Sequence, residues 1–177
     1  MSRLRSIPNY TLEDWQQWEG RWELWYGCPV AMPASPTFEH AEICAELVWS
    51  LRNQLRQVQG CGCTAVTAHD WRMGTNAVVR PDVMVVRKRP KNGWVEDPPE
   101  LLIEVASPST RDNDLRGKLD IYRDGKVRHY LVVDPADMLL RRLLGADDED
   151  TPDELVFDLH DGCRVKLSRK VEITTGL

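Results

Sequence analysis

The sequence lacks the features of a membrane or secreted protein. No stretch approaches the roughly 18 consecutive apolar residues that a membrane-spanning helix requires, and the first ten residues, MSRLRSIPNY, contain no apolar signal core. The five cysteines are odd in number and scattered, so they indicate no disulfide framework. We therefore expect a cytoplasmic protein with reduced thiols and no membrane partner.

The cysteines also lack the spacing of a structural metal site. Cys61 and Cys63 are separated by a single glycine, which is too short for a zinc knuckle, and the chain has no matching second pair. We expect two buried thiols near the start of a strand.

An excess of positive charge is missing as well. The net charge is −5 and the pI is near 5.4, which is the wrong sign for a protein that binds nucleic acid unaided. The deficit is local, because 23 basic residues face only 22 acidic ones once six acids are set aside. Those six are Asp147, Asp148, Glu149, Asp150, Asp153 and Glu154.

A chain of 177 residues is long enough for one domain that buries about 70% of its unfolded surface. We expect a single domain over 1–177, with a helical extension over 1–20 and an acidic loop and terminal hairpin over 145–177. A short helix capped by Thr11, two strands over 21–32 and a helix from Ser35-Pro36 to Gly60 come first. Strands then alternate with one more helix, so the fold class is α/β (α+β), a central mixed sheet flanked by helices.

The strand pattern of the middle section carries the first candidate residues. We expect one strand over 63–73, a turn over 74–76, and a partner strand over 78–86 that carries Asp82. Asp82 precedes the apolar segment VMVV, and Glu104 follows the apolar segment LLI. A buried carboxylate without a partner costs several kcal/mol, and two of them repel unless a cation lies between them. The pattern indicates a metal site; the alternative is that both lie at strand ends, where they are solvated or form salt bridges with Arg80 or Arg87.

Lys118 falls on the apolar side of a segment with helical periodicity. At about 100° per residue, that side is defined by Leu115, Leu119, Ile121 and Tyr122. The opposite side carries Asp112, Arg116, Asp120, Arg123 and Asp124. This placement directs the ammonium group towards the carboxylates. The alternatives are a stem that extends to solvent or an ion pair with Asp114 one turn earlier.

A basic segment, Arg87, Lys88, Arg89 and Lys91, leaves the strand of Asp82. Such a segment is usually a solvated loop. The alternative is that these four residues guide nucleic-acid phosphates beside the site.

The order of these residues resembles the PD-(D/E)XK nuclease superfamily. The matching elements are Pro-Asp, an apolar strand, Glu-Val at a strand end, the turn SPST that begins at Ser107, then Asp114 and Lys118. Within the superfamily the chain resembles a large family of bacterial proteins regarded as restriction endonucleases and formerly described as a domain of unknown function. Further landmarks are Glu23 in WELWYG, His40 at a helix start, AMPAS and YLVVDP, so that the resemblance covers roughly residues 21–143.

One departure from the superfamily concerns the catalytic lysine. The usual lysine lies two residues after the glutamate, where this chain has Ala106. The resemblance implies that the lysine has moved to the next helix, at Lys118.

The resemblance implies a Mg²⁺-dependent or Mn²⁺-dependent nuclease with a restriction-endonuclease-like core. Asp82, Glu104 and the Val105 carbonyl would hold the ion, and Lys118 would act on the attacking water, oriented by Asp114. The candidates for a supporting or rim position are Asp114, His40, Glu23 and Ser107. A lone histidine at the edge of a helix's apolar face is more often structural, and the resemblance raises His40 to a candidate. We expect nucleic acid, DNA in particular, as partner and a homodimer as assembly.

The rival hypothesis is a module that keeps the nuclease fold without turnover and binds nucleic acid or a protein partner. The acidic net charge favours this rival. The intact set of Asp82, Glu104 and Lys118 favours the enzyme.

Overall fold

A computed structural model describes residues 9–32, 35–107, 117–135, 139–144 and 154–168 of the chain. The elements, in chain order, are α1 (Leu12–Trp15), β1 (Trp22–Trp25), β2 (Cys28–Ala31), α2 (Phe38–Gln57), β3 (Thr64–Thr67), β4 (Trp71–Met73), β5 (Ala77–Val79), β6 (Val83–Val86), β7 (Leu101–Val105), α3 (Lys118–Asp124), β8 (His129–Asp134), β9 (Leu139–Leu144), β10 (Glu154–Asp158) and β11 (Arg164–Ser168). Asp114 and the acidic residues 147–153 lie outside the described residues.

A five-stranded mixed sheet forms the centre of the described structure. Its strand order is β3-β6-β7-β8-β9, with β7 and β8 parallel and the other neighbours antiparallel. The expected α/β (α+β) class with a central mixed sheet is therefore confirmed.

Other elements pack on both faces of this sheet. Because successive side chains of a strand point to opposite faces, each central strand contributes to two cores. On β6, Val83 and Val85 pack in one core with α2 and the terminal hairpin β10–β11. Met84 and Val86 pack in a second core with α3 and Trp71. Fully covered strands explain the unbroken apolar segments in the sequence.

A smaller antiparallel sheet, in the order β2-β1-β5-β4, lies beside the central one. The expectation of one continuous strand over 63–73 paired with another over 78–86 is therefore wrong. Each expected strand is divided into two shorter strands that belong to different sheets. The first segment divides at Ala68, whose φ of 45° is incompatible with a continuing strand. The second divides after β5 at positions 80–82, so that β5 belongs to the small sheet and β6 to the central one.

Helix α2 begins later than the sequence suggested. Thr37, rather than Ser35, caps it by accepting a hydrogen bond from the His40 amide. Its buried face includes Ile43, Leu47 and Leu51. No helix within the described ranges is long and apolar enough to cross a membrane.

The expectation that every cysteine is a reduced thiol is wrong. Cys61, just before β3, forms a disulfide with Cys163, just before β11, with their Cα atoms 5.9 Å apart. The two are 102 residues apart in sequence, so only the docking of the terminal hairpin brings them together. Cys28, Cys44 and Cys63 keep their thiols.

Candidate active site

Asp82 lies at the point where the chain passes from the small sheet to the central one. Its Oδ2 accepts a hydrogen bond from the Val105 amide at 2.8 Å and lies 3.1 Å from His40 Nε2. The Asp82 amide lies 3.4 Å from Glu104 Oε2. The break between β5 and β6 therefore presents Asp82 to the end of β7, where Glu104 and Val105 are.

Glu104 is buried near the end of β7, with 2% of its surface exposed. Its Oε1 accepts hydrogen bonds from Lys118 Nζ at 2.9 Å and from the Tyr122 hydroxyl at 2.5 Å. Charge-assisted bonds of this kind are the strong ones. They hold Oε1 on the side of α3 and leave Oε2 on the side of Asp82.

Lys118, at the start of α3, is buried and points into the fold, as its periodicity predicted. Its Nζ lies between two carboxylates, 2.9 Å from Glu104 Oε1 and 3.3 Å from Glu23 Oε1. The proposed pairing with Asp114 falls outside the described residues.

Glu23 lies deeper than the rim position that the sequence suggested. It is 3% exposed on β1, and its Oε1 accepts a hydrogen bond from the Arg80 amide at 2.7 Å. Its Oε2 accepts one from Trp25 Nε1 at 2.8 Å. Because β1 pairs with β5, the small sheet carries Glu23 to the floor of the site, opposite α3.

The Trp25 ring also packs closely against Gly117, the residue before α3. A Cβ atom placed on Gly117 would stand 2.6 Å from the Trp25 ring, which is closer than real Cβ atoms come. Gly117 has ordinary right-handed backbone angles, so its glycine serves close packing rather than backbone freedom. The residue before Lys118 must therefore be small for the lysine to reach the carboxylates.

His40, in the first turn of α2, forms the other side of the site. Its Nδ1 lies 3.6 Å from Cys44 Sγ one turn later, and its Nε2 faces Asp82. Burial raises the pKa of Asp82, but the hydrogen bond and charge of His40, the Val105 amide and Lys118 outweigh it and lower that pKa below its usual range. Burial and the charges of Asp82 and Glu104 raise the pKa of the Cys44 thiol, so Cys44 is a thiol there and not an activated nucleophile.

These side chains meet at the floor of a cavity of about 530 Å³. The volume lies in the range typical of ligand sites. Ser107 lines the cavity, as do Ala41 and Ala45 on the exposed side of α2. Of the residues that the sequence predicted for the site, the structure brings together Asp82, Glu104, Lys118, His40, Glu23 and Ser107.

The basic segment is not brought to this cavity. Arg87 follows the last residue of β6, whereas Asp82 precedes the first, so about 16 Å of strand separates them at about 3.3 Å per residue. The Arg87 guanidinium lies 2.9 Å from Glu100 Oε1, and Lys88, Arg89 and Lys91 are exposed. The structure therefore places this segment apart from the cavity lining, and its binding to nucleic acid stays a prediction.

Sequence reasoning missed Tyr122 as a site residue and treated it as part of the apolar face. It is fully buried, and burial and the charge of Glu104 raise its pKa well above the usual value, so it remains a hydroxyl donor. Its position four residues after Lys118, on the same helix face, was the available signal.

The donor set at the floor suits a hard divalent cation. Three carboxylates, Asp82, Glu104 and Glu23, lie beside Lys118 there, while the Arg80 guanidinium, which also lines the cavity, is paired with Asp70. Carboxylate oxygens are the ligands that Mg²⁺ and Mn²⁺ prefer. His40, Cys44 and Asp82 have ligand atoms within 4.8 Å of one another, but a thiol with a raised pKa does not suit a hard ion. The residues present fit the ion that the sequence predicted.

A solved structure of another protein has a similar fold. A solved structure from Anabaena variabilis, described as "a putative nuclease belonging to DUF820", is similar to this chain with a TM-score of 0.74 and 17% sequence identity. The similarity covers 93% of this chain and 97% of that one, and at this identity it shows the fold alone. No curated protein matches the chain.

A family model also matches the sequence itself. It is the Uma2 model, described as "Putative restriction endonuclease", and it matches residues 11–163. The match covers most of the chain and confirms the family resemblance seen in the sequence. The chain therefore belongs to the Uma2 family, whose description supports a nuclease function in general.

Proposed function

We propose that the protein is a metal-dependent nuclease that hydrolyses phosphodiester bonds of nucleic acid, with DNA as the expected substrate. The observation that carries the proposal is the buried contact of Lys118 Nζ with Glu104 Oε1 at 2.9 Å, beside Asp82, on the floor of an open cavity. Lysine next to paired carboxylates is the chemistry that phosphodiester hydrolysis in a PD-(D/E)XK-type site requires. Family membership supports the same function.

Asp82 and Glu104 would hold Mg²⁺ or Mn²⁺, with the Val105 carbonyl as the third protein ligand. Such an ion, when bound, lowers the pKa of a coordinated water and neutralises charge on the scissile phosphate. The chain positions both carboxylates beforehand. The Val105 amide and His40 hold Asp82, and Lys118 and Tyr122 hold Glu104.

Lys118 would act on the water and on the phosphate. Its ammonium group, held by Glu104 and Glu23, would stabilise charge on a bound phosphate oxygen or orient an attacking water. Glu23 would help to position Lys118, in addition to the orienting role expected of Asp114, which lies outside the described residues. Because the group is buried, its charge is little screened by solvent and acts strongly on the reacting atoms.

The assembly and location expected from the sequence are part of the proposal. We propose a homodimer in the cytoplasm, with no membrane partner. Light scattering of the purified protein tests the dimer, and a monomeric mass at assay concentrations would contradict it.

Cleavage assays of wild-type protein and Lys118→Met test the nuclease. Methionine keeps the apolar stem and removes the charge. We expect Mg²⁺-dependent nicking of supercoiled plasmid by wild type and cleavage at least about a hundredfold slower by the variant, the usual scale for losing a general base or electrostatic stabiliser. Lys166→Met, on the exposed face of the terminal hairpin, is the matched control and should cleave like wild type.

A second variant distinguishes loss of the metal site from loss of folding. Asp82→Asn keeps the shape of the side chain and should lose both Mn²⁺ binding in calorimetry and cleavage, while far-ultraviolet circular dichroism stays unchanged. Equal cleavage by wild type and Lys118→Met would remove the lysine from the mechanism. Undiminished Mn²⁺ affinity in Asp82→Asn would remove Asp82 from the metal site.

The net charge of −5 favours one rival, a catalytically silent module that binds nucleic acid or a protein partner. It predicts no EDTA-sensitive cleavage of plasmid, single-stranded DNA or RNA by wild type. It also predicts that Lys118→Met binds these nucleic acids as wild type does.

A further inference from the structure

Three cysteines meet at the edge of the central sheet, at the end of β3 and β6 away from Asp82. Cys61 and Cys63 precede β3, and Cys163 precedes β11. Their three sulfur atoms all lie within 4.8 Å of one another. Thr64, next to Cys63, pairs with Val86 at the far end of β6, so this cluster is separate from the candidate active site.

The three sulfurs differ in their access to solvent. Cys163 is 1% exposed and packs in the core, whereas Cys61 and Cys63 are half-buried. A thiol from solvent therefore reaches the disulfide at Cys61 far more readily than at Cys163. Cys63 lies beside both and needs no encounter in solution, so its effective concentration towards the disulfide is high.

We propose that Cys61, Cys63 and Cys163 form a thiol–disulfide exchange site in which Cys163 is the shared partner. The Cys63 thiolate attacks Sγ of Cys163, the Cys63–Cys163 bond forms, and the Cys61–Cys163 bond breaks. Cys61 leaves as a thiolate and takes up the proton that Cys63 released. The exchange is an isomerisation and consumes no oxidant or reductant.

Both isomers attach the terminal hairpin to the sheet. The hairpin docks on α2 through Gln54, whose side chain donates to the Lys166 carbonyl at 2.8 Å and accepts from the Lys166 amide at 2.7 Å. Because Cys61 and Cys63 are two residues apart, either bridge closes nearly the same loop and holds the same docked edge. A dithiol reductant would remove the bridge in both isomers by supplying two electrons, with two thiols as the products.

Peptide mapping under non-reducing conditions tests the proposal on Cys61→Ser, Cys63→Ser and Cys163→Ser. The purified proteins are reduced, reoxidised with glutathione disulfide, and alkylated before digestion. We expect a Cys63–Cys163 bridge in Cys61→Ser, a Cys61–Cys163 bridge in Cys63→Ser, and no bridge to the hairpin in Cys163→Ser. Cys28→Ser, which changes an exposed thiol outside the cluster, should map like wild type.

Thermal melting supplies a second readout that does not rely on mapping. Reductant should lower the melting temperature of wild type, Cys61→Ser and Cys63→Ser by a similar amount and leave that of Cys163→Ser unchanged. Failure of Cys61→Ser to form any bridge would overturn the exchange site. Isolation of wild type with three reduced cluster thiols around a bound metal ion would overturn it in favour of a thiolate metal site.

Discussion

Two lysine–glutamate pairs in this molecule join the same groups over nearly the same distance. Lys118 Nζ lies 2.9 Å from Glu104, and Lys166 Nζ lies 2.8 Å from Glu154. The side chains of the first pair are 8% and 2% exposed, and those of the second 55% and 52%. Contact geometry alone therefore does not distinguish the pair in the candidate site from the surface pair; burial and the neighbouring charges do.

The buried pair is costly to assemble and costly to break. Removing two charges from water carries a penalty that their attraction repays only with further hydrogen bonds. Tyr122 and the second carboxylate, Glu23, provide such contacts. The cost of this arrangement beside a cavity supports the proposed active site.

The largest expected difference follows from removing each lysine. Lys118→Met leaves Glu23 and Glu104 buried beside each other without their cation, and we expect it to lower the free energy of unfolding by about 3–5 kcal/mol. Lys166→Met leaves a glutamate that water can solvate, and we expect a loss below about 1 kcal/mol. Urea denaturation in EDTA measures both, and equal losses would mean that burial does not separate the two pairs.

Two tyrosine–carboxylate contacts repeat the comparison on a smaller scale. The Tyr122 hydroxyl donates to buried Glu104, and the Tyr26 hydroxyl donates to exposed Asp124 at 2.6 Å. We expect Tyr122→Phe to cost about 1.5–3 kcal/mol, the range for a hydrogen bond to a charged group, and Tyr26→Phe to cost less than about 1 kcal/mol.

Tyr122→Phe also tests a role in holding Glu104. If the hydroxyl positions this carboxylate, the variant should bind Mn²⁺ more weakly than Tyr26→Phe does in calorimetry. A stability loss with unchanged Mn²⁺ affinity would restrict Tyr122 to a structural role.

The smallest expected effect is the pH dependence of the exposed contact. Burial, the hydrogen bond to Asp124 and the charges of Asp124 and Asp120 raise the pKa of Tyr26 from 10.0 to about 12. Because the folded pKa is the higher one, the contribution to stability is fully present below pH 10 and is lost as pH rises through about 12. Ultraviolet titration of tyrosinate should show this transition in wild type, and in Asp124→Asn it should move towards pH 10.

Local patterns predicted the elements of this fold better than their boundaries. The hairpin at Tyr26, the long helix and the terminal hairpin follow from alternation, helical spacing and turn residues. The division of the segments around Ala68 and Asp82 between two sheets does not, because strand pairing with distant residues decides which sheet each half joins.

In the candidate site, too, local patterns predicted some residues, and contacts between distant segments decided others. Asp82, Glu104 and Lys118 could be predicted because each is a charge placed in an apolar pattern. The depth of Glu23 could not, since its partner Lys118 is distant in sequence and the small sheet brings the two together. The bridge between Cys61 and Cys163 was missed for the same reason.

The contact between Gly117 and Trp25 bears on how this sequence can vary. A methyl group at position 117 has no room while position 25 carries an indole, although neither residue performs chemistry. Glycine to alanine at 117 should be tolerated only in relatives with a smaller side chain at 25. The two positions are therefore expected to change together during evolution, in step with the requirement that Lys118 reach its carboxylates.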